Sequence, residues 1–254
     1  MRPLALLALF VTLGIWGCKK EEDDPDPTPA PTEYGEVRMA FSFRKNGGPF
    51  GLGSSPYSIL HDGDGRMVRI DGIKFLLSNI RLRDGSGNVK ASFPDVVILG
   101  DASAAGTTSY LVGSAPVGTY ADLVFNIGLA TADSSSQPSD HGSPPLSDAT
   151  LYTDAAHGYK YVEVTGRTDA DNNLILNGSD PAVSLKCTGS TMIRQEVADW
   201  NGSDVNNMGM PAIVNVILEV ADLLNGIPTA ASPTTIGGGP VNAQLVNNLQ
   251  IAIP

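Results

Sequence analysis

Histidine and cysteine are both scarce in this 254-residue chain, with three of the first and two of the second. Basic residues are short as well: 16 lysines and arginines stand against 27 acids, for a formal charge of −11. A body of that sign repels phosphate backbones, and no Lys/Arg stripe with interleaved aromatics offsets it, so nucleic acid is excluded as a partner and cations suit it better. The shortage of histidine removes many acid/base schemes. No Gly-x-Ser-x-Gly elbow, no His-Glu-x-x-His helix and no glycine-rich loop opening a helix after a strand is found. Serine hydrolase, zincin and P-loop chemistry therefore lack their local signatures, and the chain reads as a binding protein, not an enzyme. Helical periodicity is nearly absent too, which points away from α and α/β folds.

What is present begins with an apolar run, residues 4–16, that follows Arg2 and closes on Gly17-Cys18. A basic start, a short apolar core and a small residue before the cut site make a secretory leader, and the core is too short to span a membrane. The stretch Ile15-Trp16-Gly17-Cys18 resembles a bacterial lipobox, which makes Cys18 the lipidated first residue of the mature protein and the membrane a partner through that anchor. Residues 1–17 are thus read as a lipoprotein signal peptide and 18–34 as an acidic tether, in which Pro25, Pro27, Pro29 and Pro31 favour extended backbone. The acidic run after Cys18 resembles the export tags of outer-membrane surface lipoproteins, so an outer-membrane protein facing periplasm or medium is expected. Arg2 gives the leader +1 and the tether carries −4, leaving −8 on residues 35–254.

Those residues suit one large β domain. Val37, Met39, Phe41 and Phe43 alternate with Arg38, Ala40 and Ser42, the period of a half-buried strand. Further apolar runs at 73–80, 89–93, 96–99, 123–127, 159–164, 174–176, 183–185 and 213–220 predict more strands. Asp84-Gly85-Ser86-Gly87 and residues 169–173 supply hairpin turn chemistry. Two short helices are predicted, at 197–200 and at 240–248, the second opened by Pro240 and ended by Asn247-Asn248. The expected fold is an all-β, antiparallel, jelly-roll-like β-sandwich with long loops at 45–65 and 130–156.

Soft donors are few enough to name. With Cys18 assigned to lipid, Cys187 is an odd thiol, either a small buried hydrophobe or a ligand. His61 reads as a turn residue, while His141 and His157 lie in and at the end of the second long loop. Imidazole with a thiolate suits Cu(I) or Zn(II). If that loop folds back so that His157 meets the end of the strand carrying Cys187, the two share a metal, His141 or a methionine completes the set, and Asp154 orients His157 by accepting its other N–H. Met208-Gly209-Met210 places two thioethers two apart, read as packing at a strand entrance or as soft ligands. Asp169-Ala170-Asp171-Asn172-Asn173, with Asp180 further on, begins like a calcium loop. Leu174 stands where that loop needs glycine, so a hairpin turn is expected.

Several segments in order resemble the MbnP-like copper-binding lipoproteins and domains of Gram-negative bacteria, across nearly all of residues 35–254. They are Gly35-Glu36-Val37-Arg38-Met39-Ala40-Phe41, the strand containing Ser78-Asn79-Ile80, Phe125-Asn126-Ile127-Gly128, and Gly158-Tyr159-Lys160-Tyr161 running to Gly166. Ahead of the Gly-Tyr pair that family carries Met-x-Trp-x-Trp; this chain has Leu151-Tyr152-Thr153-Asp154-Ala155, so Thr153 and Ala155 replace both tryptophans. The family's later His-x-Gly becomes Cys187-Thr188-Gly189. The resemblance implies copper handling at the cell envelope, with His157, Cys187 and His141 standing in for the usual ligands, or a retained scaffold whose site is lost. The rival is a surface module for glycan or protein that uses the long loops.

Overall fold

In the computed structural model, which describes residues 32–53, 56–104 and 108–252, strands dominate. The leader, Cys18 and the tether as far as residue 31 lie outside the described residues. Along the chain the strands are β1 (Tyr34–Lys45), β2 (Gly48–Pro49), β3 (Ile59–His61), β4 (Met67–Arg83), β5 (Val89–Phe93), β6 (Ile98–Asp101), β7 (Ser109–Pro116) and β8 (Gly118–Ile127). After the short helix α1 (Thr131–Ser134) come β9 (Lys160–Thr168), β10 (Ala182–Thr188), β11 (Arg194–Val205), β12 (Ala212–Glu219), β13 (Thr234–Gly237) and helix α2 (Pro240–Ala252).

The alternation in β1 does what its period requires: Val37, Met39, Phe41 and Phe43 are buried while their neighbours are not. Strand β1 pairs with β7 and β2 in antiparallel fashion and with β12 in parallel. The second, nine-stranded sheet runs β11-β8-β4-β9-β10-β13, with β3, β5 and β6 also paired to the long β4. Its ladders are antiparallel except β10 with β13. The sheets meet through aromatic side chains. Phe41 of β1 stands edge-on to Phe75 of β4 at 5.4 Å between ring centres, and Phe43 lies 6.2 Å from the same ring. Such edge contacts contribute about 0.5–1.5 kcal/mol beyond the area they bury. The fold is the expected all-β sandwich, with two parallel pairs inside a mainly antiparallel body.

Local corrections have physical reasons. Residues 197–200 lie inside β11, not in a helix, because Glu196, Ala198 and Trp200 form its buried face and Val197 its exposed one. No strand forms at 174–176: Leu174 takes φ +65° and is 68 % exposed at the tip of a loop that carries the chain from β9 to β10. Helix α2 runs past Asn247-Asn248 because Asn248 is buried and donates to the carbonyls of Leu223 and Asn225, tying the helix to the chain after β12. Close approach rather than turning explains Gly166, at a bulge where β9 meets β4. A Cβ there would sit 2.1 Å from the carbonyl oxygen of Arg69.

Candidate functional site

A tight turn joins Tyr152 to Tyr159, which form an isolated antiparallel bridge just before β9. Thr153 N–H donates to the carbonyl of Gly158 at 2.9 Å, and the carbonyl of Asp154 accepts from Gly158 N–H at 2.7 Å. Gly158 closes the turn at φ +70°, a conformation that side chains strain to adopt. The Asp154 carboxylate organises the interior. Its Oδ1 accepts from the backbone N–H of Ala156 and of His157, each at 2.9 Å. The same carboxylate also holds the ring of His157, with Nδ1 at 2.8 Å from Oδ1 and 2.9 Å from Oδ2. The contact to His157 pulls the Asp154 carboxyl below its ordinary range. With Nδ1–H donated to a carboxylate, the lone pair sits on Nε2, the arrangement usual for a metal-ligating histidine.

His157 keeps 37 % of its side chain exposed and lines a cleft of about 190 Å³ with Ser134, Ser136, Tyr152, Ala155, Tyr161 and Gly189. The cleft therefore gathers Ala155, from the turn before β9, and Gly189, from the end of β10. Thr153 in the same turn keeps a buried Oγ1 with no hydrogen-bond partner among the described residues. The His157 ring also reaches the β10–β13 ladder: its Cδ2 is 4.0 Å from where a Cβ on Gly237 would be, and Gly237 is the register partner of Cys187. Imidazole and cysteine backbone are thus near neighbours.

The thiol is not part of the cleft. Cys187 is fully buried, and its Sγ donates to the carbonyl of Asn242 in α2 at 3.4 Å. Burial pushes the thiol up to about 12, so it stays protonated. Asn242 itself is buried and donates to the carbonyls of Lys186 and Gly237, which binds α2 across both strands and fixes the thiol on the helix side. Cys187 is a core side chain in this fold.

His141 is engaged elsewhere. Its Nε2 lies 2.7 Å from Ser136 Oγ, whose own hydroxyl donates to the carbonyl of Asp133. Nε2 of His141 is therefore engaged by the Ser136 hydroxyl. The ring packs edge-on to Tyr159 at 6.3 Å. His141, His157 and Cys187 do not converge as a three-donor group. Among the described residues, the group of three that does form is Asp169, Asp171 and Asp180, with carboxylate oxygens within 4.8 Å of one another. Those oxygens cap their own loop: Asp169 accepts from the backbone of Asn173 and Leu174, and Asp180 from that of Asn177. The donor set is hard oxygen, which does not suit Cu(I). The methionines expected as packing are exposed, Met208 at 75 % and Met210 at 68 %.

The contact of Asp154 with His157 is as expected from the sequence, whereas Ser134, Ser136 and Tyr161 as walls of the cleft were not expected. These arrive from α1, the following loop and β9, and nothing in their local sequence marks them.

Comparison with curated proteins returns no match. A solved structure, MbnP from Methylosinus trichosporium, superposes with a TM-score of 0.50 over 83 % of this chain and 83 % of its own, at 16 % identity. At that identity the likeness speaks for the fold. The MbnP family model matches residues 34–237, from the start of β1 to the end of β13, which takes in the turn of His157 and the strand of Cys187. The chain belongs to the MbnP family.

Proposed function

We propose that this protein is a lipid-anchored, non-enzymatic member of the family that handles copper at the cell envelope, with His157 as its imidazole donor. The observation that carries the reading is the Asp154–His157 pair at the mouth of a cleft lined by family motif positions. The donor set fits copper in part. Nε2 of His157 is free of partners among the described residues, whereas Cys187 is protonated in the core and Ser136 engages Nε2 of His141. One imidazole leaves coordination positions to solvent or to an incoming ligand, so the site suits an exchangeable ion held for transfer and not a permanent cofactor. Cys18 would supply the anchor, holding the domain at the outer membrane.

Copper titration of the full-length chain carrying Cys18→Ser tests this. Binding of one ion should vanish with an added His157→Ala and persist with Cys187→Ala; binding that survives loss of His157 defeats the reading. Membrane fractionation of cells making Cys18→Ser tests the anchor, since the protein should leave the membrane pellet.

The second reading, a glycan- or protein-binding module, draws on an apolar cleft of about 320 Å³ lined by Val97, Leu99, Tyr110, Leu111 and Pro144. In that case no variant of His157 changes the protein's ligand.

A further inference from the structure

Glu33, just ahead of β1, ties three segments together. Its carbonyl accepts from Val117 N–H at 2.8 Å, between β7 and β8, and its carboxylate accepts from Asn207 Nδ2 at 2.6 Å, on the loop joining β11 to β12. Gly35 presses on that loop as well, since a Cβ there would lie 2.1 Å from the carbonyl oxygen of Asn206. Tyr34 pairs with Pro116 at the end of β7. The start of β1, the β7–β8 turn and the β11–β12 loop are therefore one end of the sandwich, held in a fixed arrangement.

That end shows apolar side chains to solvent. Tyr34 at 57 %, Val117 at 42 % and Ile213 at 42 % join the exposed Met208 and Met210. Tyr34 and Met210 border one cleft, and Ile213 follows the Pro211 of its wall by two residues. The carboxylates among them each hold a donor: Glu33 has Asn207, Glu36 has Arg38 and Asp204 has Thr119. A clustered apolar surface of this kind marks a protein or membrane contact. Tyrosine suits the boundary between lipid headgroups and acyl chains, where the ring is buried and the hydroxyl stays wet.

The chain itself says which contact this is. Thirteen residues separate Cys18 from Thr32, and fully extended they reach about 45 Å. A link of that length presents the bilayer to this end at an effective concentration on the order of millimolar, so a weak apolar contact is enough to be populated. The other exposed apolar pair, Leu174 and Ile175, lies on the loop after β9. That loop is at the far end, because Thr168 of β9 pairs with Val68 near the start of β4, whereas Arg83 at its finish pairs with Asp122 of β8.

We propose that Tyr34, Val117, Met208, Met210 and Ile213 rest in the bilayer interface of the anchored protein, an orientation that rests on the lipid-anchor reading of Cys18. The lipid supplies attachment and this end supplies direction. Strand β8 runs from Gly118 here to Ile127, about 30 Å at the usual strand rise. Tyr161, a wall of the His157 cleft, lies against Gly128 just beyond it. The orientation therefore keeps that cleft clear of the headgroups and open to solutes.

The test uses the full-length chain, lipidated at Cys18, in nanodiscs of phosphatidylethanolamine and phosphatidylcholine, with 13C at the methionine methyls and a spin label on the lipid headgroups. The label should broaden the Met208 and Met210 signals. It should spare Met67, which opens β4 at the far end, and the buried Met39 and Met192. Tyr34→Ser with Val117→Ser should weaken the broadening several-fold, with unmoved Met39 and Met192 signals reporting an intact core. Met208 and Met210 signals that ignore the label, equal broadening of Met67, or broadening that survives the double serine variant would overturn the proposal. So would a concentration-dependent change of the same two signals in the lipid-free Cys18→Ser chain, which would give this end to a second copy. Where mass spectrometry finds the lipid on Cys18, any of these results removes the orientation and leaves the anchor; a chain without the lipid overturns both.

Discussion

Nδ1 of His157 sits between the two carboxylate oxygens of Asp154, 2.8 Å from one and 2.9 Å from the other. A ring held in this way has lost most of its rotational freedom and presents one defined nitrogen. Replacing Asp154 by Asn removes the charge and one acceptor while keeping the size of the side chain. Copper affinity should fall by about 10–100-fold, the usual effect of losing a carboxylate behind a metal-binding imidazole. Equal affinity in a titration of Asp154→Asn would mean that the contact serves the turn alone.

The same pair sets a pH dependence. Asp154 is held below the ordinary carboxylate range, chiefly by His157, so the contact favours the folded turn above that ordinary range. Its contribution disappears as the pH falls through the lowered value. Followed by the NMR shift of its Cγ, Asp154 should titrate below the ordinary Asp value of about 3.9 and move back upward in His157→Ala. A midpoint that is the same in both proteins contradicts this origin.

Cys187 should behave as part of the core. With its thiol pushed up to about 12 and no exposed surface, it should resist iodoacetamide at pH 8 in the native Cys18→Ser protein and react once denaturant is added. Prompt labelling of the native protein would put the thiol in an accessible place and reopen it as a ligand.

Gly166→Ala should destabilise the sandwich. The added Cβ would meet the Arg69 carbonyl at 2.1 Å, a backbone atom that moves only if the β4–β9 bulge moves with it. A cost of about 1–3 kcal/mol is expected, which in a domain of this size lowers Tm by about 2–4 °C per kcal/mol. An unchanged melting curve would show that the bulge relaxes freely.

Legibility in the sequence follows the uniformity of each buried face. In β1 the inward residues from Val37 to Phe43 are all large and apolar, and the strand can be read directly. In β11 the inward face holds Glu196, Ala198 and Trp200, so hydrophobic period breaks down and a helix looks as good as a strand. The strand β7 hides in the same way: its inward Val112 and Ala115 are spread among Gly113, Ser114 and Pro116. At the site, the spacing of Asp154 and His157 was readable because a single turn brings them together. The direction of Cys187 was not, since it depends on α2 arriving from 55 residues away to place Asn242 over β10. The exposure of Met208 and Met210 was hidden for a related reason, because the strand they precede begins only at Ala212.

Electron paramagnetic resonance of the Cu(II)-loaded, full-length Cys18→Ser chain tests the copper reading most directly. The spectrum should carry nitrogen coupling from one imidazole, present with Cys187→Ala and absent with His157→Ala. A spectrum unchanged by His157→Ala, or a protein that holds no copper at all, would contradict it.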